Sequence, residues 1–234
     1  MSGVANIRNW GTAAILWLSA ALVSRSARAG NAKLLVFVHV AVKQRAFQGQ
    51  LQAALPGIEV TAVGRIADFE RTLTQGTDAV LTLPVVIEAF KLPVVLRGYR
   101  AGNVEEAYSI VAVGSAPDPH EIRAVGALDI LGREGTNKFV KDLLGHTCRV
   151  ERVSKVEDLL PLLQMQRVEA VLLPVRLLSE IKATSKLDLV GTEIVKQVAL
   201  PAIASVTATG TQVIAALEKL PTHVRKTLGV DSWR

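Results

Sequence analysis

The sequence predicts an α/β protein of two lobes, each a mostly parallel sheet flanked by helices. Three observations carry this. From Lys33 onward, apolar strand-like runs alternate with segments of helical periodicity, the pattern that right-handed crossovers turn into parallel sheet. The pattern then restarts: Asp78-Ala-Val-Leu-Thr-Leu-Pro84 and Glu169-Ala-Val-Leu-Leu-Pro174 each end an apolar strand at a proline, at corresponding places in the two halves. Between them a polar linker, Arg100 to Glu106, reads as a hinge.

Taken in order, Leu34 to Val40 is an apolar strand broken only by His39, and Lys43 to Leu55 is a helix with Phe47, Leu51 and Leu55 on one face, ended by Pro56-Gly57. Strand Ile58 to Val63, helix Arg65 to Thr74 and strand Ala79 to Leu83 follow, with glycines at 64 and 76 as stops. Val85 to Phe90 reads as a short helix, and Leu92 to Tyr99 and Tyr108 to Val113 as strands around the linker. The second half repeats the alternation: strand Val125 to Ile130, helix Asn137 to Leu144, strand Cys148 to Val153, helix Lys155 to Met165, strand Ala170 to Leu173. Ser154-Lys155-Val156-Glu157 has the form of a capping box. Leu187 to Leu189, Val195 to Val198 and Pro201 to Val206 are short strand candidates; Thr211 to Leu220 is a last helix, and the tail to Arg234 a further short helix at the surface.

With 234 residues, half of them apolar and 21% charged, the chain can bury a core and is neither disordered nor a multi-span membrane protein. Residues 1–29 stand apart: Arg8, an apolar run from Thr12 to Val23, and Ala27-Arg28-Ala29 have the layout of a secretory signal cleaved before Gly30. A helix of that apolar dozen would reach only about 18 Å, short of the roughly 30 Å hydrocarbon core, so a permanent anchor is the weaker reading. The expected mature protein is soluble, and periplasmic if the source is bacterial. Arg8, Arg25 and Arg28 leave with the signal, so 24 basic against 21 acidic residues remain, a net of +3. That charge is mild, and no basic run with interleaved aromatics points to nucleic acid. Cys148 stands alone and cannot close an internal disulfide.

The stretch Val125 to Leu144 is the one most suggestive of a site. An apolar strand gives way to Gly132-Arg-Glu-Gly-Thr-Asn-Lys138 and then to an amphipathic helix with Phe139, Val140, Leu143 and Leu144 inward. Glycines at 132 and 135 permit a tight turn, and Thr136 or Asn137 can cap the helix, leaving N–H groups for an anion or polar ligand; an ordinary connecting loop is the alternative. Arg133 either pairs with Glu134 at the surface or offers a bidentate contact to a carboxylate or phosphate-like group. His39 is either a core histidine bonded to backbone or a cleft residue donating to a ligand. Thr82 can bond through its hydroxyl, though it is equally at home as a cap. His39, His120, His146 and His223 show no ligand spacing, so no metal is expected. No nucleophile elbow, Walker loop or dinucleotide fingerprint is present, and neither cofactor nor enzymatic activity is expected.

With the signal, the two α/β halves, the linker, and the Asp78 to Pro84, Tyr108 to Val113 and Gly132 to Phe139 segments as its carriers, the chain resembles the type II periplasmic solute-binding proteins. More loosely it is similar to the phosphate/phosphonate-type substrate-binding components of ABC importers, although a serine/threonine-glycine cluster usual there is replaced by Gly132 to Lys138. The resemblance implies residues 30–105 plus 200–234 as one lobe and 106–199 as the other. It further implies a ligand between them, touched by His39, Val40 and Ala41, by Thr82 and Leu83, and by Arg133, Gly135, Thr136 and Asn137. The expected function is a monomeric periplasmic binding protein that closes on a small polar or anionic solute and presents it to a membrane transporter or sensor. A ligand-free accessory module of the envelope on the same fold is the alternative, and a transferase-like enzyme a minor one.

Overall fold

The computed structural model describes residues 31–234; the expected signal peptide lies outside them. The first sheet is built on β1 (Ala32–Phe37), β2 (Ile58–Ala62) and β3 (Ala79–Thr82), with β1 between the other two and all three parallel. β1 can take that central place because it is apolar on both faces: five of its six residues are buried. The crossovers are α1 (Gln44–Ala54), which turns Phe47 and Leu51 inward, and α2 (Ile66–Thr74), which buries Phe69. After α3 (Pro84–Ala89), β4 (Val94–Tyr99) completes the first pass.

The second sheet contains β5 (Glu105–Val113), β6 (Ala124–Leu128), β7 (Arg149–Val153), β8 (Ala170–Pro174) and β9 (Leu189–Ala199), in the order β7-β6-β8-β5-β9. It is flanked by α4 (Gly132–Leu144), α5 (Leu159–Gln164) and α6 (Val175–Thr184). The chain then returns to the first sheet as β10 (Ala202–Ser205), α7 (Gly210–Leu217), α8 (Thr222–Leu228) and β11 (Ser232–Trp233), giving the order β11-β4-β10-β3-β1-β2. Two crossings therefore join the lobes, and they run side by side: Leu200 donates its N–H to the Val104 carbonyl at 2.8 Å, and Gly98 to that of Pro201 at 2.9 Å. A tight turn with positive φ at Ala101 and Gly102 precedes the first crossing.

The two-lobed α/β fold is the one expected, but both sheets are mixed. β10 lies antiparallel to β3 and β4, and β5 antiparallel to β8 and β9, because the connecting strands enter each sheet against its parallel core. The linker is shorter than Arg100 to Glu106, since Glu105 and Glu106 already pair with Ala199 and Val198. The two short strands expected between 187 and 198 are one eleven-residue strand, β9. α6 precedes it, turning Leu177 and Ile181 inward at a helical spacing that the sequence reading passed over. The tail is not confined to the surface either: α8 buries Val224 and Leu228, and Trp233 is 8% exposed in a strand against Gly98. Gly98 is required there for other neighbours: a Cβ would stand 2.5 Å from Val230 and 2.6 Å from the Pro201 carbonyl, and 3.4 Å from the Trp233 ring.

The largest correction concerns Gly132 to Lys138. These residues are not a loop before a helix but its first two turns, since α4 begins at Gly132 and not at Asn137. Gly132 takes φ +70° at the entry, and the buried Thr136 hydroxyl accepts the N–H groups of Ile130 and Leu131 while donating to Asp129 at 3.0 Å. The capping box fails too. The chain enters a three-residue 3-10 turn, Val156–Asp158, from Lys155 in extended conformation with no side-chain capping bond.

Candidate functional site

The facing ends of the two lobes enclose a cleft with two unlike parts. Next to the hinge, apolar side chains from both lobes meet: Val38 and Leu83 from the first, Tyr108, Leu128, Ile130 and Phe139 from the second, around a cavity of only about 20 Å³. That is room for about one water. Tyr108 and Phe139 pack edge to face at 5.9 Å, and burial drives the Tyr108 hydroxyl well above its ordinary pKa.

At the rim of this region lies a charged bridge. Arg176, on α6, places Nε 3.0 Å and 3.2 Å from the two carboxylate oxygens of Glu106 on β5, with the side chains 8% and 7% exposed. From there its Nη2 donates to the His39 carbonyl of the other lobe at 3.3 Å. Its guanidinium also lies against Gly229, where a Cβ would approach Nε to 2.7 Å. Burial pushes the Glu106 carboxyl up, with the Arg176 charge and hydrogen bond opposing it; Oε1 accepts from Arg176, while Oε2 is buried with no hydrogen-bond partner of its own. His39 stacks edge-on to Phe37 at 5.3 Å, and its Nε2 is buried with no hydrogen-bond partner. Burial first, then the Arg176 charge, lower its pKa to about 4, so the ring is neutral at ordinary pH.

Farther from the hinge the cleft opens into a cavity of about 480 Å³. It is bounded by the ends of β1 and β2, the start of α1 and, from the other lobe, Ser154 to Glu157 after β7. β2 and β7 are the strands most remote from the hinge in their sheets. The lobes come close here, a Cβ at Gly64 lying 3.8 Å from the Ser154 carbonyl. α1 is entered from Lys43 with no side-chain cap and no acidic residue in its first turn, so its first N–H groups have no side-chain partner, and residues 42–45 at this helix end line the cavity. Gln44 and Gln48 line the same wall and are fixed by β2: Gln44 donates to the Ala62 carbonyl at 2.5 Å, and the Gln48 carbonyl accepts from Ala62 N–H at 3.0 Å.

Of the residues expected to touch a ligand, His39 and Val40 line the larger cavity, and His39 and Leu83 the small one. Ala41 packs on the core of the second lobe. Thr82 is fully buried and donates to the Phe37 carbonyl at 2.6 Å, tying β3 to β1. Thr136 is spent on the α4 entry; Gly135 packs against Leu131 of its own helix; Arg133 and Asn137 are exposed and line neither cavity. The polar cavity residues missed in the sequence are Lys43, Gln44, Arg45, Gln48, Ser154, Lys155 and Glu157. Their only sequence signal was position, at a helix start after the first strand and in the loop after β7.

No protein-family model and no curated protein matches the chain. Solved structures do. The ligand-binding core of GluR0 in complex with L-glutamate superposes with a TM-score of 0.58 at 15% identity, over 86% of this chain and 98% of that one. The ancestral amino acid-binding protein AncCDT-1, a precursor of cyclohexadienyl dehydratase, gives 0.58 at 14% identity over 86% and 92%. Arginine-bound ArgBP from T. maritima, as its Gly52Ala mutant, gives 0.53 at 17% identity over 84% and 94%. The chain thus has the two-lobed fold of the periplasmic binding proteins.

Proposed function

We propose that the protein is a periplasmic solute-binding protein that takes a small polar ligand, amino-acid-like rather than phosphate- or phosphonate-like, between its lobes and presents the closed form to a membrane transporter or sensor. The observation that carries this is the 480 Å³ cavity, which both lobes line with polar side chains. Its volume falls within the roughly 300 to 1,000 Å³ of small-molecule sites. A ligand touching both walls stabilises closure by its differential contacts, which is how binding becomes a signal to a partner. The amino-acid class is supported by the solved structures of the same fold, which bind arginine, L-glutamate and amino acids, and the export route by the sequence of residues 1–29. We read the chain as a binder and not an enzyme.

The filled inner cleft favours one second reading, an accessory module that binds no small ligand. Melting curves against amino acids, organic acids, phosphate, phosphonates and sulfate separate the two. A ligand at a hundred times its Kd raises stability by about 2.7 kcal/mol, so a shift of several degrees confined to one chemical class is expected. A flat response across the panel removes the solute-binding reading and leaves the accessory one.

A further inference from the structure

Resting on the solute-binding reading, we propose that the ligand seat is the outer cavity between α1 and the Ser154 to Glu157 loop, displaced from the hinge-side cleft, and that it takes a small dicarboxylate of the size of an acidic amino acid. The hinge-side region cannot be the seat in this arrangement of the lobes, because a volume of about 20 Å³ does not hold an amino acid. The outer cavity is more than twenty times larger, and its polar groups converge from both lobes.

The charges lining it set the class. Lys43 and Arg45 stand at the open start of α1, Lys155 stands on the facing lobe, and Glu157 is the one acidic residue in the lining. None of these four takes part in an ion pair within the described residues. The first-turn N–H groups of α1 add positive potential at the same wall. His39 also lines the cavity, but its unpartnered Nε2 is closed off from it, so the polar contacts come from the α1 wall and the facing loop. One carboxylate on the α1 wall and a second on Lys155 would join the two lobes, while Glu157 offers a partner to an ammonium. The shared chemistry is two carboxylates. Glu157 decides between an acidic amino acid and a plain dicarboxylic acid.

Isothermal titration of the purified protein with L-glutamate, L-aspartate, succinate and L-arginine tests this, using K43A/R45A, Lys155→Ala and Glu157→Gln in the outer cavity and Phe139→Leu at the hinge side. Expected are binding of the dicarboxylates and not of arginine, a loss of tenfold or more in affinity for K43A/R45A and for Lys155→Ala at unchanged melting temperature, and a Kd within twofold for Phe139→Leu. Glu157→Gln should weaken the amino acids and spare succinate. If the dicarboxylates bind but only Phe139→Leu weakens them, the seat is at the hinge side; if arginine binds and they do not, the class is wrong. Both results overturn this inference and leave the solute-binding reading standing. If no titrant binds here and the broad melting panel is also flat, the reading itself falls with it.

Discussion

His39 lies two residues past the end of β1 in the first lobe, lends its carbonyl to an arginine of the second, and keeps a ring nitrogen unpaired between two cavities. The groups facing it are Arg176, whose charge lowers its pKa, and Asp129, whose charge raises it, with burial outweighing both. The folded protein therefore binds fewer protons at this site than the unfolded chain between about pH 6.5 and about 4. Stability rises with pH across that window, and acidification through it costs on the order of 3 kcal/mol. Glu106 works in the opposite sense, since a raised carboxyl pKa makes the native state hold its proton longer. Melting temperatures measured from pH 7.5 to 4.5 should fall less steeply for His39→Gln than for the wild type, and parallel curves would exclude His39 as the source. At this scale the sequence was least legible. Position in the strand order singled out His39, but nothing in the local sequence showed that Thr136 would be consumed by backbone N–H groups or that Arg133 would point away from both cavities.

Among the elements, α1 and β2 show how a helix can finish a sheet. Gln44, Gln48 and Gln52 follow one another at intervals of four along α1 and bond the free edge of β2, Gln52 donating to the Ile58 carbonyl at 2.7 Å and accepting from Val60 N–H at 2.9 Å. An open strand edge is a template for unwanted pairing, and this amide row occupies it. Gln52→Ala removes two bonds and should cost about 1 to 2 kcal/mol by chemical denaturation; a loss below about 0.3 kcal/mol would mean that water replaces them. Gly132→Ala tests the entry to α4, where φ is +70°, and a cost of about 1 to 2 kcal/mol is expected. Strands and helices were legible because apolar periodicity is local: α1, β2, β3 and β8 fell within a residue of their expected bounds, while β1 starts two residues earlier and ends three earlier than Leu34 to Val40. The start of α4 was misread because Gly132 and Gly135 resemble a loop, whereas Gly135 is needed for contact, a Cβ there lying 2.4 Å from that of Leu131. The antiparallel placement of β5, β9 and β10 depends on where the chain crosses between lobes, which no local pattern encodes.

For the molecule as a whole, the bridge of Arg176, Glu106 and the His39 carbonyl holds the lobes together at the rim of a filled inner cleft. Arg176→Met leaves Glu106 buried without its partner and should cost about 3 to 5 kcal/mol, whereas Arg176→Met with Glu106→Met should recover most of that. Small-angle scattering should show the single variant more expanded than the wild type; an unchanged radius of gyration would mean that the apolar contacts alone keep the cleft shut. The lobes are also unequal in how the chain builds them. All five strands of the second sheet come from one continuous run, Glu105 to Ala199, while the first sheet and its core draw on both Ala32 to Tyr99 and Leu200 to Trp233. During synthesis, the second lobe can be complete while the first still lacks β10, α7, α8 and the two-residue strand ending at Trp233. A nascent chain would thus keep its first lobe unfinished until the segment from Leu200 to Trp233 has emerged, with the tryptophan at position 233 as the closing stitch of that sheet.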